Sequence, residues 1–143
     1  MKIKYLNEEE RLVFFDNVFM EQKFYLVASN LSENYNGGYW ELAIAENGAK
    51  IVFLRSDESF TPNYDYFFSY DVDEKINSKI FSAWAWLKFL EASFYNKDGS
   101  ENDDMIKMFI KAKDCYLDSD INTQILNEYE RYQLYSLLDW AFY

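Results

Sequence analysis

The chain has 143 residues, a net charge of −11, no histidine and one cysteine. The length suits one ordinary domain, and an apolar fraction of 50% is enough to bury a core. Without histidine, Ser-His-Asp and Cys-His triads and His-based zinc sites are excluded, and one cysteine allows no intramolecular disulfide.

Tyr (13), Phe (13) and Trp (4) are far above ordinary usage, which argues against disorder. The longest apolar stretch, Ile80 to Leu90, is interrupted by Ser82 and Lys88 and falls short of the ~20 residues of a membrane span. Met1 to Glu10 has no apolar signal core, and the lone Cys115 suits a reducing compartment, so a cytoplasmic protein is expected. Excess acid repels nucleic acid, whose binding relies on Lys and Arg replacing counterions. The acids are spread over the chain, which suits a solvated surface or an acidic face that occupies a DNA-binding cleft. The expected partner is a protein.

Asn7-Glu8-Glu9-Glu10 reads as a helix start, with Asn7 as cap and Glu10 three residues on. Leu12, Phe14, Phe15, Val18 and Phe19 follow as an apolar cluster. A second helix is expected from about Glu21 to Asn34, with Phe24, Val27, Ala28 and Leu31 on one face. Tyr35-Asn36-Gly37-Gly38-Tyr39-Trp40 then holds two of the chain's four glycines side by side, which marks a sharp turn under aromatic rings.

The period next changes to two. Trp40, Leu42 and Ile44 alternate with Glu41, Ala43 and Ala45; Asn47-Gly48 follows, then Lys50 to Leu54, a hairpin signal. Ser56 to Asn63 reads as a loop holding Pro62, the only proline. Tyr64 to Val72 alternates again and is expected to be a third strand of the same antiparallel sheet.

Asp73 is placed to cap the longest helix, about Glu74 to Tyr95. Ile76, Ile80, Ala83, Trp84, Leu87, Leu90 and Phe94 form its stripe. Phe81, Trp86 and Phe89 lie off it, so the helix is buried all round or gives its second side to a partner. Asn96 to Asp103 is a polar loop. A helix follows from about Asp104 to Leu117, with Met105, Met108, Phe109, Ala112 and Tyr116 inward. Asp118 to Asp120 breaks it, and a last helix runs from about Ile121 towards the end. The expected fold is α+β: one domain over 1–143, with a small antiparallel sheet of about three strands (a hairpin plus one) and four to five helices.

Little here carries chemistry. Asp103/Asp104, Asp71/Asp73 and Asp57/Glu58 are acid pairs in loops or at helix starts, where capping accounts for them. Asp114, Asp118 and Asp120 lack the glycine and later glutamate of a calcium loop. Cys115 has no basic neighbour to activate it and reads as a buried structural thiol. Asp139 lies five helical turns after Ile121 and points the same way, sharing a face with Ile125, Tyr132 and Tyr135. It is either satisfied by a tyrosine hydroxyl or held for a partner. No catalytic residue, metal or cofactor is expected.

Leu31-Ser32-x-x-Tyr35-x-Gly37-Gly38-x-Trp40, followed by a strand, Asn47-Gly48 and a second strand, resembles the ArdB/KlcA antirestriction family. Phe19-Met20-Glu21 before the helix and Leu137-Leu138-Asp139 near the end are similar too. The resemblance runs from about Leu12 to Asp139 and is strongest from Phe19 to Phe53. The chain departs from the family in the heavy Ser82-Ala83-Trp84-Ala85-Trp86, in having no histidine at the end of that helix, and in having no proline after Phe53-Leu54.

The resemblance implies a binding protein of a mobile element or phage, not an enzyme, that blocks DNA cleavage by a host type I restriction–modification complex. Tyr35, Gly37, Gly38, Trp40, Asn47 and Gly48 are then the structural motif, and Asp139, Asp103 and Asp104 the expected partner-facing acids. Two other readings stay open. One is an acidic DNA mimic that blocks another defence complex, such as a CRISPR effector. The other is a small hydrolase using two carboxylates. The aromatic excess also leaves a homodimer open.

Overall fold

The hairpin forms where the two-residue period ends at Asn47-Gly48. In the computed structural model, which describes residues 1–63 and 75–141 (side chains at 124 and 139–141 excepted), β2 (Tyr39–Ala45) pairs antiparallel with β3 (Lys50–Arg55). Gly48 at φ +83° donates to the Ala45 carbonyl (2.8 Å) to close the turn. Register places Trp40 opposite Leu54 and Leu42 opposite Val52 on one face, with Ala43 opposite Ile51 and Glu41 opposite Phe53 on the other.

Among the described residues, the third strand of this sheet is β1 (Ile3–Tyr5), which pairs antiparallel with β2 to give the order β1-β2-β3. Sequence period gives no warning of it, because three residues are too few to show alternation. The strand expected at Tyr64 to Val72 lies outside the described residues. Past the hairpin, β4 (Ser59–Phe60) pairs with β5 (Ile76–Asn77) as a separate two-stranded sheet. With the helices below, the class is α+β, as expected.

Among the described residues, six helices surround the sheets. α1 (Glu8–Arg11) is one turn, closed by a capping box: Asn7 Oδ1 accepts from Glu10 N (2.9 Å) and Glu10 Oε1 accepts from Asn7 N (3.1 Å). α2 (Val18–Leu31) starts three residues earlier than expected because Asn17 caps it. It buries Phe24, Ala28 and Leu31.

α3 (Ser78–Glu91) begins at an Asn77 cap, not at Glu74, and ends before Tyr95; Asp73 lies outside the described residues. The chain arrives as β5, so Ile76 and Asn77 are extended and cannot be helical. α3 is buried on all sides: Phe81, Trp86 and Phe89, off the predicted stripe, are as enclosed as Ile80 and Leu87. It packs on β3, α2, α4 and α6, so no side is left for a partner.

α4 (Asp103–Leu117) follows an Asn102 cap. Met105, Ala112, Cys115 and Tyr116 face inward, with Met108 and Phe109 half-buried against the core. The expected last helix is two. α5 (Ser119–Ile125) is capped by Asp118, and α6 (Glu128–Ala141) begins after a second capping box, in which Asn127 and Glu130 exchange bonds of 2.9 and 2.8 Å. Leu126 is extended between them (φ −127°, ψ 144°).

Both faces of the hairpin are covered, which the alternating pattern does not foretell. Trp40 and Leu42 are buried, yet so are Ala43 and Ala45 on the opposite face, while Ile44 is only half-buried. The Trp40 face meets α2 and α3 through Phe24 (ring centroids 4.8 Å) and Phe81 (6.3 Å). On the other face Phe53 meets Tyr116 of α4 edge-on at 5.8 Å.

Among the described residues β3 is an edge strand, whose outward backbone groups need partners once buried. Side chains of α3 and α4 supply them. Trp86 Nε1 donates to the Lys50 carbonyl (2.7 Å), Leu54 N donates to Ser82 Oγ (2.7 Å), and Val52 N donates to the Tyr116 hydroxyl (2.9 Å). That hydroxyl in turn donates to the Val52 carbonyl (2.8 Å).

Candidate functional site

The run from Tyr35 to Trp40 joins α2 to β2. Gly37 (φ +91°) and Gly38 (φ +141°) both hold conformations that side chains with a Cβ rarely adopt. A Cβ at Gly38 would also sit 3.0 Å from Leu54 Cδ1, whereas one at Gly37 would meet nothing within 4 Å. Gly38 thus lets the chain pass close to β3. Across the turn, Trp40 Nε1 donates to the Tyr35 hydroxyl (2.9 Å), and both residues are buried. The Tyr35 ring packs on Phe81 (5.6 Å) and Trp40 (6.0 Å). Burial raises the Tyr35 hydroxyl above its ordinary pKa, partly offset by the Trp40 hydrogen bond. These contacts make the run a joint between helix and sheet.

Asn47 and Gly48 form a second joint. Asn47 Oδ1 accepts from Ala49 N (2.9 Å) and its Nδ2 donates to the Lys111 carbonyl (3.2 Å), tying the hairpin tip to α4.

Asp103 and Asp104 lie exposed in the first turn of α4, just after the Asn102 cap. There a carboxylate complements the positive helix end. Asp139 is in α6, and its side chain lies outside the described residues. The five-turn relation between Ile121 and Asp139 fails, because Leu126 and Asn127 separate two helices. Tyr132 and Tyr135, expected to share a face with Ile125, are 70% and 39% exposed. Tyr135 still accepts a bond from the buried Asn122 (3.1 Å).

Asp57 and Glu58 are adjacent and exposed, while Asp71 and Asp73 lie outside the described residues. Asp118 caps α5, and with Asp120 it holds the Met1 ammonium at 3.3 and 3.2 Å. Among the described residues, no group of three His, Cys, Asp or Glu side chains could hold a metal ion. Among them too, no helix is long and apolar enough to cross a membrane. Cys115 is fully buried, and burial aided by the Asp118 carboxylate pushes its thiol up to about 12.

The feature that the sequence reading treats as one cluster is split in two. Phe14 is buried and Phe15 half-buried, but Leu12 (81%), Val18 (59%) and Phe19 (78%) are exposed, as is Val13 (77%). Beside them a hollow of about 280 Å³ is lined by Glu8, Leu12, Phe15, Glu21, Tyr39 and Leu42, among others. Arg11 stands at this hollow with its guanidinium 4.6 Å from the Tyr39 ring centre. The sequence signal for the split was Asp16-Asn17, a cap that restarts the helical phase at Val18 and turns Phe19 outward.

No family model matches the chain, and no curated protein matches it.

Proposed function

We propose that the chain is an antirestriction protein that binds a host type I restriction–modification complex and blocks its cleavage of incoming DNA, without itself doing chemistry. The reading rests on the segment from Phe19 to Phe53, which carries the resemblance. It folds as helix, double-glycine joint and Asn-Gly hairpin in direct succession. The net charge of −11 supports a protein partner over nucleic acid. Asp103 and Asp104, exposed at the start of α4, are assigned to the partner-facing surface, together with Asp139. The protein acts in the cytoplasm, where such complexes meet DNA.

The test is a phage or plasmid challenge of a restricting strain, with and without the expressed protein. Restored entry of unmodified DNA supports the reading, and unchanged restriction overturns it.

The same charge favours a second reading, an acidic mimic of DNA that occupies the cleft of another defence complex such as a CRISPR effector. Such a complex competes with DNA and weakens steeply with salt. Binding that is indifferent to salt and to added DNA overturns the mimic.

A further inference from the structure

Four large apolar side chains, Leu12, Val13, Val18 and Phe19, stand exposed in one short stretch that links α1 to the first turn of α2. Scattered single exposures of this kind are ordinary, whereas a contiguous group marks an interaction surface. The stretch is also acidic. From Glu8 to Glu21 it holds five carboxylates against one arginine. Glu8 and Glu21 line the 280 Å³ hollow together with Leu12, Phe15 and Leu42. Arg11 lines it too, with its guanidinium over the Tyr39 ring, so two carboxylates stand against one guanidinium there and the local charge is negative.

We infer that this surface docks a basic amphipathic helix from another protein, with one apolar side chain in the hollow and flanking Lys or Arg against Glu8 and Glu21. Two observations select that occupant. The first is charge: a second copy of this chain would bring a further −11 to an already acidic face, so a basic partner is favoured over self-association. The second is shape. The hollow of about 280 Å³ has room for about one side chain, with Leu12, Phe15 and Leu42 as apolar lining, and Val13, Val18 and Phe19 stand exposed in the same short stretch. A partner that sets further apolar side chains along one face, as an amphipathic helix does, meets both. This inference stands apart from the restriction reading, because it concerns the chemistry of the surface and not the identity of the complex.

The experiment uses the full chain and a dye-labelled leucine–lysine peptide with leucines at helical spacing, long enough for about five turns. Binding is read by fluorescence anisotropy at physiological ionic strength. The parent is expected to bind this peptide at least about tenfold more tightly than a scrambled peptide of equal composition. The double variant Leu12→Ser/Phe19→Ser is expected to lose at least about tenfold, since two apolar side chains leave the contact. Both positions are exposed, and circular dichroism confirms folding. Glu8→Gln should weaken binding and flatten its salt dependence, while Tyr132→Ser, at an exposed site on α6, should leave it unchanged. Equal binding of the scrambled peptide overturns the proposal, as does a double variant that binds like the parent. A parent that sediments as a dimer which Leu12→Ser/Phe19→Ser dissociates also overturns it, because the surface then serves a second copy.

Discussion

Single side chains close the gaps that helices and strands leave open. Tyr116 is the clearest case. Its hydroxyl both accepts from and donates to Val52, so one group satisfies two backbone atoms on the buried edge of β3. Burial pushes its pKa well above the ordinary range, with the Val52 hydrogen bond acting in the opposite sense. Tyr116→Phe keeps the ring against Phe53 but strands both backbone groups. It should cost about 2–4 kcal/mol, seen as a lower urea midpoint at unchanged slope. A variant as stable as the parent would mean that water or a strand shift replaces the hydroxyl. Helical spacing puts Tyr116 inward, and this much was legible in the sequence. That its hydroxyl meets Val52, 64 positions earlier, was not, because no local pattern records a long-range partner.

At the scale of elements, part of the local punctuation of the chain was readable, where it was short and chemical. Asn7 with Glu10, Asn47-Gly48 and the paired glycines each act within about four residues and each forms the turn or cap that its chemistry requires. The same capping signal stands at Asn127-Glu128-Tyr129-Glu130, and it is what splits the last helix in two. The apolar period running through Ile121 to Asp139 masked it. The double-glycine joint has a sharp expectation. Gly38→Ala must bear both a strained φ and the Leu54 methyl, and should lose about 1–3 kcal/mol. Gly37→Ala has open space and bears the backbone cost alone, about 1–2 kcal/mol. Thermal melts of the two variants should rank Gly38→Ala the less stable. The reverse order would show that Leu54 yields freely.

For the molecule as a whole, a core of mixed aliphatic and aromatic side chains is enclosed by an acidic surface. Its buried acids set the alkaline limit. Cys115 has an ordinary pKa of 9.0 and Tyr116 of 10.0, and both are raised in the fold. A raised value means that the folded state keeps its proton where the unfolded chain has lost it. The stability from these protons is therefore complete below pH 9 and falls as pH rises towards 12, by at most about 1.4 kcal/mol per pH unit for each group. Urea midpoints should drop between pH 9 and 11, and Cys115→Ala should make that drop shallower. Equal drops in both proteins would remove Cys115 from the alkaline limit.

The sequence by itself determined the class of fold, the hairpin, the Asn7 cap of α1 and the exclusion of histidine-based chemistry. Each follows from residue type or from a period contained in a few consecutive positions. Only the tertiary structure decided that Ile3–Tyr5 is the third strand, that α3 is covered on every side, and that Leu12 and Phe19 face outward while Phe14 faces in. These depend on which distant segment lies across a given face. Pairing and burial are properties of two surfaces meeting, and a pattern along one chain segment describes only one of them.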